Sequence, residues 1–223
     1  SAYASAIFIG VGLSFLVGGS VAQAYDWRIS LQVLGASGFL LVGLSIVGLV
    51  EPSRVTYQGS GEDSIEQANS TDSFVSEDSV WKQLRGLLSK PALRYHLLGF
   101  GLLAMSGYTI LAFIGSIFTQ GFDRADLIPR YGWFLVATAV AVNGAGWISD
   151  RWANHYGPRN RLAWGWISGL VSLPFLWVGL YSEHPMLSFW AIGIGNIIAS
   201  SYNGVAAATI QFFARDDQRG LVG

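Results

Sequence analysis

Apolar residues fall into six long blocks: Ala2–Tyr25, Ile29–Val50, Leu97–Phe118, Tyr131–Ile148, Leu162–Tyr181 and Met186–Phe213. No Lys, Arg, Asp or Glu interrupts any of them. A helix needs roughly 20 mostly apolar residues to cross a bilayer. Only helices and closed barrels can pair every backbone polar group inside lipid. The blocks are too long for barrel strands and lack a two-residue alternation, so they predict helices. The expected fold class is an all-α membrane protein, a polytopic helical bundle with six complete spans.

Polar residues collect between the blocks, and they collect unevenly. The long connection Glu51–His96 carries Arg54, Lys82, Arg85, Lys90 and Arg94. Alternate crossings put Arg151, Arg159, Arg161, Arg215 and Arg219 on the same side, and Arg28, Arg124 and Arg130 on the other. Basic residues concentrate on the cytoplasmic side of membrane proteins, so the long connection is expected in the cytoplasm. Within it, Tyr57–Ser79 is rich in Ser, Asp, Glu, Asn and Gly, a composition that cannot bury enough surface to order itself. "SVWKQLRGLLSK" follows, with Val80, Trp81, Leu84, Leu87 and Leu88 on one helical face. That pattern suits a helix lying on the membrane surface. The sequon at Asn69–Thr71 would face the cytoplasm and stay bare.

Composition agrees. Hydrophobic residues make up 52% of the chain and charged residues 12%, against about 25% charged in soluble domains. The 28 glycines and 9 tryptophans suit membrane helices and their interfaces. With no cysteine, the fold rests on no disulfide and no thiolate metal site. A net charge of −1 argues against nucleic acid as partner. The chain opens on Ser1 within an apolar block and stops after "RDDQRG", which reads as a piece of a longer protein. His96, His155 and His184 sit near block ends and are expected at the interface. No Ser/His/Asp set, phosphate loop or paired metal ligands occur, so no enzyme activity, cofactor or metal is expected.

One connection is dense in charge. "GAGWISDRWANHYGPRNR", residues 144–161, holds Asp150, Arg151, Arg159 and Arg161. It is at least a hairpin with a basic cytoplasmic end. Gly146, four residues before Asp150, would let a neighbouring helix approach closely. Asp150, at a helix end, would accept charge-assisted hydrogen bonds from an Arg or a facing helix terminus. "G-W-I-S-D-R" resembles the loop signature of the major facilitator superfamily, and the longer tail with Pro158 resembles its Spinster-like branch. "AYDWRISLQVLGASGFLLVGLSIVGLVEPSR", "SGYTILAFIGSIFTQGF" and "SYNGVAAATIQFFARDDQRG" resemble other stretches of that branch. By this resemblance the chain is a partial major facilitator fold holding about the fifth to tenth helices. Residues 1–50 would close the N-terminal bundle, 51–94 form the cytoplasmic central loop, and 95–223 make most of the C-terminal bundle.

Small residues recur every four positions in the first block, at Ala2, Ala6, Gly10, Ser14, Gly18 and Ala22. They predict a smooth face for close helix packing. "GVGLSFLVGG" keeps Gly10, Gly18 and Gly19 of the family's fifth-helix signature and has Ser14-Phe15 at its centre, where the family has Gly-Pro. Uncharged polar residues inside blocks are the candidate cavity wall: Tyr108, Asn143, Asn196, Asn203 and Gln211, with Ser200 between Asn196 and Asn203, four and three positions apart on one helical face. Polar groups in lipid are costly unless they face a bundle interior or cavity, although interhelical hydrogen bonding also accounts for them.

The resemblance implies a secondary transporter moving a small organic or amphipathic, lipid-like solute by alternating access, with protons as candidate coupling ion, in the plasma or bacterial inner membrane, monomeric when full length. Any coupling acid or Arg would lie in helices outside this chain. The competing expectation is a membrane sensor or scaffold using the carrier fold without transport. A membrane enzyme would have to rest on Asp150 and His155.

Overall fold

In lipid a backbone amide has no water to bond, so the apolar blocks become helices. The residues at their ends decide where each starts and stops. The computed structural model describes residues 2–48, 85, 86 and 88–213, and among these there is no strand. The first block is α1 (Ala2–Leu13), a π-helical turn (Ser14–Gly18) and α2 (Gly19–Ala24). After the corner at Tyr25–Asp26 comes α3 (Trp27–Gly48). Then follow α4 (Pro91–Ser116), a π-helical turn (Ile117–Gly121), α5 (Leu127–Tyr156), a 3₁₀ turn (Pro158–Leu162), α6 (Ala163–Tyr181), α7 (Pro185–Ser200) and α8 (Asn203–Phe213). Five of these rods are long and apolar enough to cross a membrane: Ala4–Ala24, Trp27–Gly48, Pro91–Gly121, Leu127–Tyr156 and Asn160–Tyr181. The expected order-poor stretch and all but five residues of the expected surface helix lie outside the described residues.

Three expectations about helix ends change. The third rod starts at Pro91, a residue pre-set for the first helical position, so His96 lies inside a helix and not at its edge. The fourth rod runs on through Asp150 to Tyr156 and stops at Gly157, whose φ of 98° and ψ of 158° belong to a region open essentially to glycine alone. The sixth block is two helices and not one rod: α7 ends at Ser200, Ser201 and Tyr202 form a turn, and α8 starts at Asn203.

α5 is the centre of the packing. Tyr131 and Leu135 on α5, Leu127 at its start, Phe118 of the second π turn and Ile192 of α7 are fully enclosed. Their aromatic neighbours interlock edge to face, as Phe134 does with Phe189 at 5.1 Å between centroids and with Trp190 at 5.3 Å. Such pairs add about 0.5–1.5 kcal/mol beyond burial. α6 and α7 form a tight hairpin in which the Ser188 hydroxyl donates to the Gly179 carbonyl at 2.6 Å. α3 buries only Ser30, whose hydroxyl donates to the Gly18 carbonyl at 2.7 Å. That bond supports the end of the first π turn, where carbonyls lose their usual helical partners.

α1 lies antiparallel along α5, and the contact follows a seam different from the expected one. Gly10 has open space where a side chain would be, and Ala6 is exposed. The seam is Ser5, Gly12 and Gly19. Ser5 donates to the Ala139 carbonyl at 3.3 Å and accepts from Asn143 Nδ2 at 2.6 Å. A Cβ on Gly12 would stand 2.9 Å from the Gly132 carbonyl oxygen, and one on Gly132 would stand 2.5 Å from that of Gly12. Gly19 packs on Pro129, Gly18 on Leu34, and Ser14 returns its hydroxyl to the Val11 carbonyl. The spacing of seven keeps one stripe on a facing helix, whereas a strict spacing of four drifts around the rod.

Candidate functional site

A cavity of about 230 Å³ opens where α1, α4, α7 and α8 meet. Its apolar wall includes Ile7, Phe8 and Val11 of α1 and Phe100, Leu103 and Leu111 of α4. Its polar wall is Tyr108, Asn196, Ser200 and Asn203, and among the described residues no charged side chain lines it. The approach of α4 to α7 is close because Gly107 faces Ser200 and Asn196; a Cβ there would lie 3.7 Å from Ser200 Oγ and 3.9 Å from Asn196 Oδ1. Asn196 is enclosed, with 1% of its surface exposed, while Tyr108 is 70% exposed and stands at the rim. Ser200 Oγ donates to Asn196 Oδ1 at 3.4 Å. Asn203 Nδ2 donates to the Ser200 carbonyl at 2.7 Å, which occupies a backbone acceptor released where the helix breaks. These bonds hold the polar strip in one arrangement.

The structure therefore brings Tyr108, Asn196, Ser200 and Asn203 to one cavity. Asn143 lies elsewhere. Its carboxamide bridges Ser5 of α1 and the Ala139 carbonyl of its own helix, at 2.6 and 2.9 Å, so it fastens the α1–α5 seam. Gln211 belongs to α8, and its side chain lies outside the described residues.

The charged connection forms a closed hairpin. Arg161 donates to Asp150 Oδ1 at 2.6 Å, and Ser149 Oγ donates to the Arg161 carbonyl at 3.1 Å. Both contacts tie the last turns of α5 to the entry of α6. Asp150 is 62% exposed at its side chain and Arg161 22%. Arg151 turns away and lies over the Trp147 ring at 5.7 Å from its centroid, a cation–π contact. Trp152 and Trp164 meet edge to face across the hairpin. Gly146 has open space where a Cβ would stand, so no helix approaches it closely among the described residues, contrary to expectation. The side chain of Arg159 lies outside the described residues.

On the opposite end, Arg124 donates twice to Asp126, at 2.7 and 2.9 Å. Arg124's hydrogen bonds hold the Asp126 carboxyl below the usual carboxylate range. Gln23 donates to the Ala125 carbonyl, pinning α2 to the same corner.

His96 is the residue that sequence reasoning misplaced. It is 7% exposed. Its Nδ1 lies 3.1 Å from the Tyr202 hydroxyl and its Nε2 3.3 Å from the Ala206 carbonyl. The Tyr202 ring fills the space left by Gly165, where a Cβ would come within 2.8 Å. The one available sequence signal was Lys90-Pro91, which marks a helix start one turn and a half ahead of the apolar block.

A bundle of lipid-length rods around a cavity with a polar, uncharged wall defines a multi-pass membrane protein with room for a small guest. The family model of the Major Facilitator Superfamily matches residues 1–223. The chain belongs to that superfamily, whose members are membrane transporters. No curated protein and no solved structure matches it.

Proposed function

We propose that the chain is the middle part of a secondary active transporter that moves a small organic or lipid-like solute by alternating access, with protons as coupling ion. The observation that carries the reading is the cavity between α1, α4, α7 and α8, about 230 Å³, with a polar strip and no charged side chain among the described residues. Tyr108, Asn196, Ser200 and Asn203 would contact the solute's hydrogen-bonding group, and Phe8, Phe100 and Leu111 its apolar body.

In this reading residues 1–50 end the N-terminal bundle, 51–94 are the cytoplasmic loop and 95–223 belong to the C-terminal bundle. The α1–α5 seam then joins the two bundles, and rocking about it would open the cavity to each side in turn, as in carriers whose site lies at a repeat interface. Gly12 and Gly132 favour such a motion because backbone against backbone has few side chains to unlock. The Asp150–Arg161 hairpin, with Gly146, Arg151 and Arg159, is the cytoplasmic brace. The motif resemblance supports placement in the Spinster-like branch, from the fifth to the tenth helix. Ser14-Phe15 at the centre of the α1 signature supports no assignment of exchange direction.

The test is an uptake screen in liposomes holding the complete protein, with and without a proton gradient. A panel of neutral, anionic and lysolipid-like solutes should yield one that accumulates. Its flux should fall at least about tenfold in Asn196→Ala, Ser200→Ala or Asn203→Ala, the loss of about 1.4 kcal/mol of transition-state binding. A solute whose flux ignores all three substitutions would remove the cavity from the mechanism.

A further inference from the structure

His96 is a buried histidine in a membrane-length rod, and the cavity's polar strip does not include it. His96 sits on the second turn of α4 and touches the one place where the sixth apolar block is broken. The Ala206 carbonyl can only accept, so Nε2 carries the proton and Nδ1 accepts from the Tyr202 hydroxyl. Both ring nitrogens are thereby used in the neutral state. Tyr202 lies in the Ser201–Tyr202 turn, directly between Ser200 and Asn203 of the cavity wall. Its ring is wedged against Gly165 of α6 and stands edge to face with Phe100, 6.3 Å between centroids. A second cavity between α4 and α6, about 600 Å³, reaches both His96 and Tyr202 and gives a path to the ring.

We propose that His96 and Tyr202 form a proton-binding relay that sets the conformation of the α7–α8 break. Histidine is the side chain whose ordinary titration falls between pH 5 and 8. A proton arriving from solvent adds to Nδ1 and converts it from acceptor to donor. The Tyr202 hydroxyl must then rotate and accept, and its own hydrogen must find a new acceptor. Its ring cannot shift toward α6, because the Gly165 backbone closes that side. The strain passes to the two-residue turn and so to Ser200 and Asn203. The charged or titratable groups at this end of the packed elements include Lys90 just before α4, Arg94 and Tyr95 on it, and Asp150, Arg151, His155 and Arg161 at the α5–α6 hairpin. Among the described residues α7 and α8 carry no acid or base, and α6 has only Tyr181 at its far end. This relay goes beyond the transport reading and does not depend on it, since its signature is a proton-dependent shape that needs no solute.

The experiment follows the shape directly. Ala207 lines the cavity one turn beyond the break. In the full-length protein on a cysteine-free background, reconstituted in liposomes, Ala207→Cys is labelled with a maleimide between pH 8 and pH 5.5. The rate is normalised to the same reagent at Glu183→Cys, which removes the thiol's own titration. The normalised rate should rise at least about threefold on acidification, consistent with a population shift of a two-state element. His96→Gln, which bonds but takes no proton, should flatten the profile. Tyr202→Phe should lose more than half of the amplitude. A flat profile in the parent, or the full rise retained in His96→Gln, overturns the relay. Should His96→Gln fail to fold, Tyr202→Phe decides: an undiminished rise refutes the proposal and a reduced one supports it.

Discussion

Arg161 is the more enclosed partner of the hairpin's ion pair, and the asymmetry decides what each substitution does. Exposed pairs contribute about 0–1 kcal/mol, and Asp150 is mostly in solvent. Asp150→Asn is therefore expected to insert normally and to lower stability by less than about 1 kcal/mol, while solute flux falls at least several-fold if the pair is remade during the cycle. Thermal unfolding in detergent beside vesicle flux separates the two, and unchanged flux would remove the brace from the mechanism. At the far end the sign of the pH effect is set by Asp126. Its folded carboxyl is held low by Arg124, so the contribution is complete above the ordinary carboxylate value, about 3.9. It fades only as pH falls through the depressed one. Melting curves of the parent and Asp126→Asn should differ at pH 7 and converge at strongly acid pH. Convergence already at pH 6 would contradict this account.

Among elements, the α1–α5 pair is the clearest case of close packing without a hydrophobic driving force. Helices in lipid associate through van der Waals contact and hydrogen bonds, which small residues make possible. A Cβ at Gly12 would meet backbone atoms of α5 at 2.9 and 3.0 Å, and backbone cannot move aside as a flexible side chain can. Gly12→Val is expected to destabilise the pair by about 1–3 kcal/mol, the range for overpacking. Gly10→Ala should be neutral, because open space surrounds that position. The monodisperse fraction in detergent measures both. Equal behaviour of the two would show that the seven-residue seam is not the contact. Asn143→Leu should weaken the same seam through the lost bond to Ser5.

For the whole molecule, rods that cross in alternation are expected to leave the two ends of α6 on opposite faces of the bilayer. The α5–α6 hairpin with Asn154 and the α6–α7 turn with Glu183 must then react from opposite sides. Cysteines at these two positions, probed with a membrane-impermeant maleimide in sealed vesicles of one orientation, should each be labelled from one side only, and from different sides. Labelling of both from a single face would contradict the crossing of α6. Topology of this kind follows from length and polarity, since α6 lies in a rod, Asn160–Tyr181, long and apolar enough to cross a membrane.

The sequence by itself determined the class of fold. A run of some twenty residues without charge has few states open to it in lipid, so the rods, their number to within the broken sixth, and the polar strip at Asn196, Ser200 and Asn203 were legible from spacing. Tertiary structure decided which faces meet. Gly10 and Gly12 are both glycines two positions apart, and Asn143 and Asn196 are both amides in apolar blocks. Only the partner helix distinguishes them: Gly132 selects Gly12, Ser5 takes Asn143, and the wall shared by α4 and α7 keeps Asn196 for the cavity. His96 lay beyond reading for the same reason, since its burial comes from Tyr202 and Ala206, more than a hundred residues along the chain.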